Sequence, residues 1–110
     1  MAGSGSEDSG TPGQLPITTD TVADAEIEEA ALYYERERIG LGYEFLVEVN
    51  RTFGHVEMFP ESYPLERGAL HRANLRRFPY AIMYRVYPDC ILIVGCVHGK
   101  RHPRTWEERA

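Results

Sequence analysis

Lysine and arginine are absent from the first 35 residues, and no apolar block stands near the N-terminus. A secretory signal peptide needs a basic stretch followed by about 7–15 apolar residues, so the sequence predicts none. Long hydrophobic runs are missing too, because Cys90–Val97 falls far short of the roughly 20 residues of a membrane-spanning helix. We therefore expect a soluble, cytoplasmic protein that contacts no membrane.

Cysteine is scarce as well, with two residues, Cys90 and Cys96. We expect both in one β-strand, where ~3.3 Å per residue would place them about 20 Å apart, too far for a disulfide. Two free thiols are typical of a reducing compartment. A zinc site built from Cys96, His98 and His102 would lack a fourth ligand at the usual spacing, so we expect no metal and no other cofactor.

Positive charge is unevenly placed in a chain whose net charge is −5. Residues 1–65 carry 3 basic and 13 acidic side chains, whereas residues 66–110 carry 9 basic and 4 acidic ones. Affinity for a polyanion rises with the number of cations delivered to it, so the whole molecule is poorly suited to nonspecific nucleic-acid binding. An anionic partner would have to bind residues 66–110.

The length of 110 residues and the hydrophobic fraction of 43% indicate one globular domain. Residues 1–14, MAGSGSEDSGTPGQ, are rich in Gly, Ser and acids and have no apolar periodicity. Such a stretch cannot offset the entropy lost on ordering. We predict a flexible tail over residues 1–14 and a single domain over residues 15–110.

Two stretches between Ala23 and Phe59 combine strong helix formers with apolar residues at helical spacing. The first, ADAEIEEAALYYERER, predicts a helix capped by Thr21 or Asp24 and ended by a left-handed Gly40. The second, YEFLVEVNRTFGHVEMF, predicts a helix antiparallel to the first, because the link between them is short. The residues predicted to face the core are Ile27, Ala30, Ala31 and Tyr34, then Leu46, Val49, Phe53 and Val56.

The remaining stretches predict strands separated by turn residues. Gln14–Thr19 is expected to be a weak edge strand because Pro16 limits its ladder bonds, and Glu61–Gly68 is expected to be a loop. Three runs predict an antiparallel meander: His71–Arg77, Tyr80–Tyr87 and Cys90–Val97. Neither helices nor sheet can bury an apolar side alone, so we expect a two-layer α+β fold with the helical hairpin packed on a small antiparallel sheet.

Four segments resemble, in order and spacing, the RelE/ParE family of toxins from bacterial type II toxin–antitoxin modules. They are AEIEEAALYYERERIGLGYEF, FPESYP, LRRFPYAIMYRV and VHGKRHPRTWEER, and the match covers about Ile17 to Arg109. The resemblance implies the same two-layer fold and inhibition of growth. It also implies a cognate antitoxin whose peptide wraps around the toxin in a hetero-oligomer.

The family divides into two chemistries. RelE-like members cleave messenger RNA on the ribosome with two arginines and a tyrosine, whereas ParE-like members inhibit DNA gyrase. One arginine is matched by Arg101 in Gly99-Lys100-Arg101, but Ala81 stands where the second is expected. Trp106 stands near the place of the tyrosine, and an indole cannot exchange a proton as a phenol does. These departures favour the ParE-like branch and a non-enzymatic toxin that poisons gyrase.

Two alternatives stay open. A ribosome-dependent mRNA endonuclease would use Arg101 as the cation and His98 as the general base. A non-toxic relic would serve only as a binding module. His98 is expected at a strand end, on the face of Leu92, Val94 and Cys96, where a partly buried structural histidine is an equally good interpretation.

Cationic residues of the second half are the candidate contacts. The residues predicted to contact the target are Arg101, His102, Arg104, Arg77 and Arg85. The residues predicted to bind the antitoxin are Arg72, Arg76 and Tyr34. The competing interpretation is that these arginines pair with helix acids between Glu26 and Glu48, although exposed pairs contribute only about 0–1 kcal/mol each. The acids predicted to form a solvated helix face are Glu28, Glu29 and Glu35.

Overall fold

The computed structural model describes residues 15–99, so the tail predicted over residues 1–14 and the segment 100–110 lie outside the described residues. Its elements, in chain order, are β1 (Ile17–Thr19), α1 (Thr21–Glu37), α2 (Leu41–Met58), β2 (Leu65–Arg67), β3 (Leu70–Asn74), β4 (Tyr80–Val86) and β5 (Ile91–His98). The two helices form a hairpin that packs on the sheet. The predicted two-layer α+β fold is confirmed.

The N-terminus of α1 is capped by Asp20, and the prediction of Thr21 or Asp24 is wrong. The Asp20 carboxylate accepts a hydrogen bond from the backbone N–H of Val22 at 2.7 Å. Asp20 has the extended backbone that an N-cap requires, whereas Thr21 and Asp24 are already helical. Beyond the other end of α1, Gly40 has a φ of 91°, the left-handed conformation predicted there.

The buried face of α2 is offset by one residue at its N-terminal end. Phe45, Val49, Thr52 and Val56 are buried, whereas Leu46, predicted to face the core, keeps 40% of its surface exposed. One residue rotates a position by about 100° around a helix, so only one of the two neighbours can point inward. Phe45 takes that position because its ring joins an aromatic cluster with residues of α1 and β4.

Glu35 is exposed, as predicted, and it also connects the two helices. Its carboxylate accepts hydrogen bonds from the backbone N–H groups of Gly40 and Gly42, at 3.0 Å each. These bonds cap the N-terminus of α2, where Gly40 has no side chain to do so. The helices also approach closely at Gly42, where an added Cβ would lie 2.6 Å from the Ala31 carbonyl oxygen.

The sheet has the strand order β1-β5-β4-β3-β2 and is mixed, because β1 runs parallel to β5 while the other pairs are antiparallel. β1 confirms the weak edge strand predicted before the helices. β2 lies within the predicted loop: its backbone pairs with β3 although all its side chains are exposed. β3 ends at Asn74 rather than Arg77, since residues 75–79 turn into β4 and Leu75 N–H donates to the Tyr80 carbonyl at 2.9 Å.

An irregularity in β5 decides which of its side chains face the helices. Met83 pairs with Gly95 and Tyr84 pairs with Ile93, so Val94 is the extra residue of a β-bulge. An extra residue reverses the alternation of side chains between the two parts of the strand.

The bulge corrects the predicted placement of His98. Cys96 belongs to the core under the helices and His98 contacts a ring on that side, whereas Leu92, Val94 and Val97 belong to the opposite face. His98 therefore shares the face of Cys96 but not that of Leu92 and Val94. Both cysteine thiols are free, as predicted.

Apolar side chains are buried on both faces of the sheet. The core between helices and sheet includes Ala23, Ala30, Ala31, Phe45, Val49, Val56, Ile82, Tyr84, Ile91 and Ile93. A second cluster, on the face away from the helices, consists of Leu70, Ala81, Met83 and Val94. Within the described range, neither helix has the length and apolar character needed to cross a membrane.

Candidate functional site

Four of the predicted arginines lie on β3, on β4 and in the turn between them. Arg72 pairs with Met83 across the two strands, and Arg85 is two residues beyond Met83, so both arginines lie on the sheet face away from the helices. Arg76 and Arg77 lie in the turn at one end of the sheet. The structure therefore separates a sheet-face pair from a turn pair.

Arg72 lies beside the point where the described chain ends. Its Nε donates to Asn74 Oδ1 at 3.0 Å, its Nη2 lies 3.5 Å from the carbonyl oxygen of Gly99, and its Nη1 lies 3.9 Å from Glu66 Oε1. The guanidinium is held next to the start of the segment that carries the remaining predicted contacts. Those contacts, Arg101, His102 and Arg104, lie outside the described residues.

Arg85 has an unsatisfied donor. Its Nε is buried and donates no hydrogen bond to any group of residues 15–99. The strand partner of Arg85 is Leu92, and the apolar cluster of Ala81, Met83 and Val94 lies on the same face. A guanidinium N–H left unpaired beside apolar side chains is costly to the folded state.

Arg77 is paired with a helix acid, in agreement with the competing interpretation given above. Its Nη2 donates to Glu44 Oε1 at 2.7 Å, and Arg38 Nη2 lies 3.8 Å from the same oxygen. The hydrogen bond from Arg77 lowers the pKa of the Glu44 carboxyl, with a smaller contribution from the charge of Arg38. The charge of Arg77 is thus partly neutralised, which weakens its case as a target contact.

Arg76 borders a cavity of about 240 Å³ between α2 and the β3–β4 turn. Beneath it lies Glu48, which is 1% exposed and whose Oε2 accepts a hydrogen bond from the backbone N–H of Arg76 at 2.7 Å. Glu48 Oε1 lies 2.8 Å from Arg51 Nη2, an ion pair without the alignment of a good hydrogen bond. His55 also lines the cavity.

Tyr34 belongs to an aromatic cluster between the helices and the sheet. Its ring centroid lies 5.4 Å from that of Phe45, 4.8 Å from that of Phe78 and 6.1 Å from that of Tyr80. Burial, reinforced by Tyr80 and Tyr33, raises the pKa of the Tyr34 phenol. The Tyr80 ring in turn lies 5.2 Å from that of His98. Contact of Tyr34 with an antitoxin stays a prediction.

Two other groups that could serve in acid–base or nucleophilic chemistry are buried and neutral. Burial raises the pKa of the Cys96 thiol to about 12, and the carboxylate of Glu26 adds to that effect while accepting a hydrogen bond from the Cys96 backbone N–H. Burial also raises the pKa of Tyr84, whose hydroxyl donates to the carbonyl of Pro60. Neither group supplies an anion at neutral pH.

Exposed apolar side chains lie on the outer face of α2. Tyr43, Leu46 and Val47 are 72%, 40% and 43% exposed, and their spacing of three and four residues places them on one face. We call these three residues the α2 strip. Clustered exposed apolar side chains are typical of a protein-binding surface.

The sequence prediction missed the cavity residues Glu48, Arg51 and His55. Glu48 lies one turn from both Phe45 and Thr52 on the buried side of α2, but the spacing in the sequence placed Leu46 rather than Phe45 on that side and so did not mark Glu48. A carboxylate at a core position requires cationic or N–H partners. No pattern in the sequence indicates that the backbone of Arg76 is one of them. Within residues 15–99, no group of three or more His, Cys, Asp or Glu side chains could hold a metal ion.

The described fold and surfaces define a small α+β protein with an apolar strip on its helical hairpin and arginines on its sheet. No protein-family model matches the sequence, and no curated protein does. Solved structures do match. One is a chain of the chromosomal ParDE TA system from P. aeruginosa, with a TM-score of 0.58 and 16% identity over 77% of this chain and 96% of that chain. At this identity the likeness shows a shared fold.

Proposed function

We propose that the chain is the toxin of a type II toxin–antitoxin module and acts in the cytoplasm by binding and poisoning DNA gyrase. The observation that carries the proposal is the fold shared with a chain of a ParDE system across 96% of that chain. The four segments that resemble RelE/ParE toxins support it from the sequence.

The exposed α2 strip on the helical hairpin supports the proposal that a cognate antitoxin binds this chain. Tyr43, Leu46 and Val47 offer an apolar face to an amphipathic segment, a common mode of peptide recognition. β2 is a second possible attachment point, because it is an exposed edge strand that could accept main-chain hydrogen bonds. We propose that the antitoxin binds the α2 strip.

Gyrase is the preferred target because one arginine that RelE-like nucleases use is replaced on the sheet of this chain. Ala81 stands where a RelE-like nuclease has its second arginine, and Ala81 is fully buried. The target contacts that we keep from the sequence prediction are Arg85, Arg101, His102 and Arg104. Arg72, which the sequence assigned to the antitoxin, lies on the same sheet face as Arg85, and we add it to the target contacts. Binding of a protein target needs no general base.

Induction of the chain in bacteria tests the proposal. We expect growth to stop, plasmid supercoiling to change, and messenger RNA on ribosomes to stay intact. Codon-positioned cuts in mRNA with normal supercoiling would instead identify the endonuclease that uses Arg101 and His98. Unimpaired growth at confirmed expression would identify a relic that only binds.

Two matched variants distinguish the antitoxin surfaces. Val47→Asp places a charge on the α2 strip, and Leu65→Asp does so on the edge strand β2, where Leu65 is 58% exposed. We expect Val47→Asp to abolish co-purification with the product of the adjacent gene and Leu65→Asp to leave it intact. The reverse result would place the antitoxin on the sheet edge. Circular dichroism of both variants controls for folding.

A further inference from the structure

The cavity between α2 and the β3–β4 turn is built around one buried carboxylate. Glu48 holds the backbone N–H of Arg76 at 2.7 Å and the guanidinium of Arg51 at 2.8 Å. Burying a carboxylate is costly unless it is paired, and here the pairing fixes the positions of two neighbouring arginines. Glu48 is therefore a positioning residue for the cavity wall.

Two arginines and a histidine reach the opening. Arg51 keeps 46% of its side chain exposed, and Arg76 and His55 are exposed residues that also line the cavity. Within residues 15–99, no acidic side chain pairs with the guanidinium of Arg76. One carboxylate beneath two arginines and a histidine leaves a positive excess at the opening, which suits an anion.

The cavity and the α2 strip lie next to each other along the same helix. Tyr43, Val47, Arg51 and His55 follow one another at intervals of four residues, so they form a single row on α2. From Val47 to His55 is about 12 Å along the helix axis. A segment that lies on the apolar part of the row therefore reaches the cavity within two or three turns of its own.

We propose that this cavity receives a carboxylate side chain from an acidic amphipathic segment of a partner protein, held by Arg51 and Arg76. The proposal rests on the proposed function, since the partner is the antitoxin that covers the α2 strip. A carboxylate suits the site better than the phosphates of a nucleic acid. Glu48 offsets one of the two arginine charges, so the site suits the single charge of a carboxylate better than a run of phosphates, whose binding needs many cations. The planar forks of the two arginines can hold that carboxylate through paired hydrogen bonds.

Titration of the full chain with sodium acetate tests the cavity without any partner. We expect saturable shifts of the Arg51 Nε–Hε resonance and the Arg76 backbone amide in ¹H–¹⁵N spectra, with a dissociation constant of about millimolar order for so small a ligand. Arg36, an exposed arginine at the end of α1, should not respond. Sodium chloride at matched ionic strength controls for screening.

A pair of variants then tests the cavity in the complex. Arg76→Gln removes the guanidinium but keeps the backbone N–H that Glu48 holds. We expect it to weaken binding of the antitoxin from the adjacent gene about tenfold, whereas Arg36→Gln, with the same loss of charge, leaves binding unchanged. Glu48→Gln can still accept the hydrogen bond from the Arg76 backbone N–H but removes the negative charge beside Arg51, so it should strengthen acetate binding while the protein stays folded.

The outcomes separate this proposal from the proposed function. No saturable acetate shift in the folded protein overturns the carboxylate site, whatever the antitoxin does. A response to inorganic phosphate and none to acetate overturns it in favour of a phosphate ligand. Equal antitoxin affinities of Arg76→Gln and Arg36→Gln show that the cavity is not used in the complex. If wild-type protein binds acetate but no antitoxin, the proposed function fails and the anion site stands.

Discussion

Glu44 gives the clearest titration expected of a single residue. The hydrogen bond from Arg77 lowers its pKa below the ordinary value of 4.5. A carboxyl whose folded-state pKa is lowered stabilises the fold above its ordinary pKa, and this stabilisation is lost as the pH falls through the folded value.

Arg77→Gln should therefore raise the pKa of Glu44 towards 4.5, which NMR titration of the side-chain carboxyl carbon measures. Arg38→Gln should have a smaller effect, because Arg38 lies 3.8 Å from the carboxylate while Arg77 lies at 2.7 Å. Any difference in melting temperature between wild type and Arg77→Gln should appear near neutral pH and vanish in acid. An unchanged Glu44 pKa in Arg77→Gln would contradict the assigned cause.

Several carboxylates have roles that the sequence alone could not assign. Glu35 was predicted on a solvated helix face and Glu48 only among the acids that could pair with arginines, yet Glu35 caps α2 and Glu48 lies beneath a cavity. Local spacing decides which side of a helix a residue occupies, but the partners of these two carboxylates come from the next helix and from a distant turn. Tyr84 was predictable as core, because it alternates with other apolar residues of its strand.

At the scale of elements, the two helices approach closely at Gly42, and substitutions of two glycines test how much this contact matters. Gly42→Ala would bring its Cβ to 2.6 Å from the carbonyl oxygen of Ala31, a backbone atom that cannot move alone. We expect a loss of about 1–3 kcal/mol in the free energy of unfolding, measured with urea.

Gly54→Ala, in the same helix, is the matched control. Within residues 15–99, nothing beyond its own turn of helix lies within 4 Å of the added Cβ, so the substitution mainly adds helix propensity. We expect it to stabilise the protein by about 0.5–1 kcal/mol. Destabilisation by both variants to the same extent would show that the approach at Gly42 is not what separates them.

Hydrophobic periodicity predicted both helices and the central strands. It failed to predict which side chains face the core where one residue shifts the pattern along a strand or helix. Val94 adds one residue to β5 and moves His98 to the helix side, although simple alternation assigns it to the face of Leu92. In α2 the competition between Phe45 and Leu46 is decided by rings on other elements. β2 has no apolar pattern, because its backbone pairs with β3 while all its side chains are exposed.

At the scale of the whole molecule, one sheet-face arginine of the second half lies beside the end of the described residues. Arg72 reaches the carbonyl of Gly99 at 3.5 Å, and Arg101 follows two residues later. We expect a change at Arg101 to act on the target rather than on folding, because arginine side chains are seldom part of a hydrophobic core.

If Arg101 contacts the target as proposed, Arg101→Ala should abolish growth inhibition while the melting temperature stays unchanged, because a surface substitution away from the core has little effect on stability. Arg101→Lys separates charge from shape. Lysine keeps the charge but loses the planar fork, so partial toxicity would indicate simple electrostatic attraction and complete loss would indicate a shaped oxyanion contact. Arg36→Ala removes the same charge from the end of α1 and should stay toxic. Full toxicity of Arg101→Ala would move the target contact to the sheet-face pair, Arg72 and Arg85.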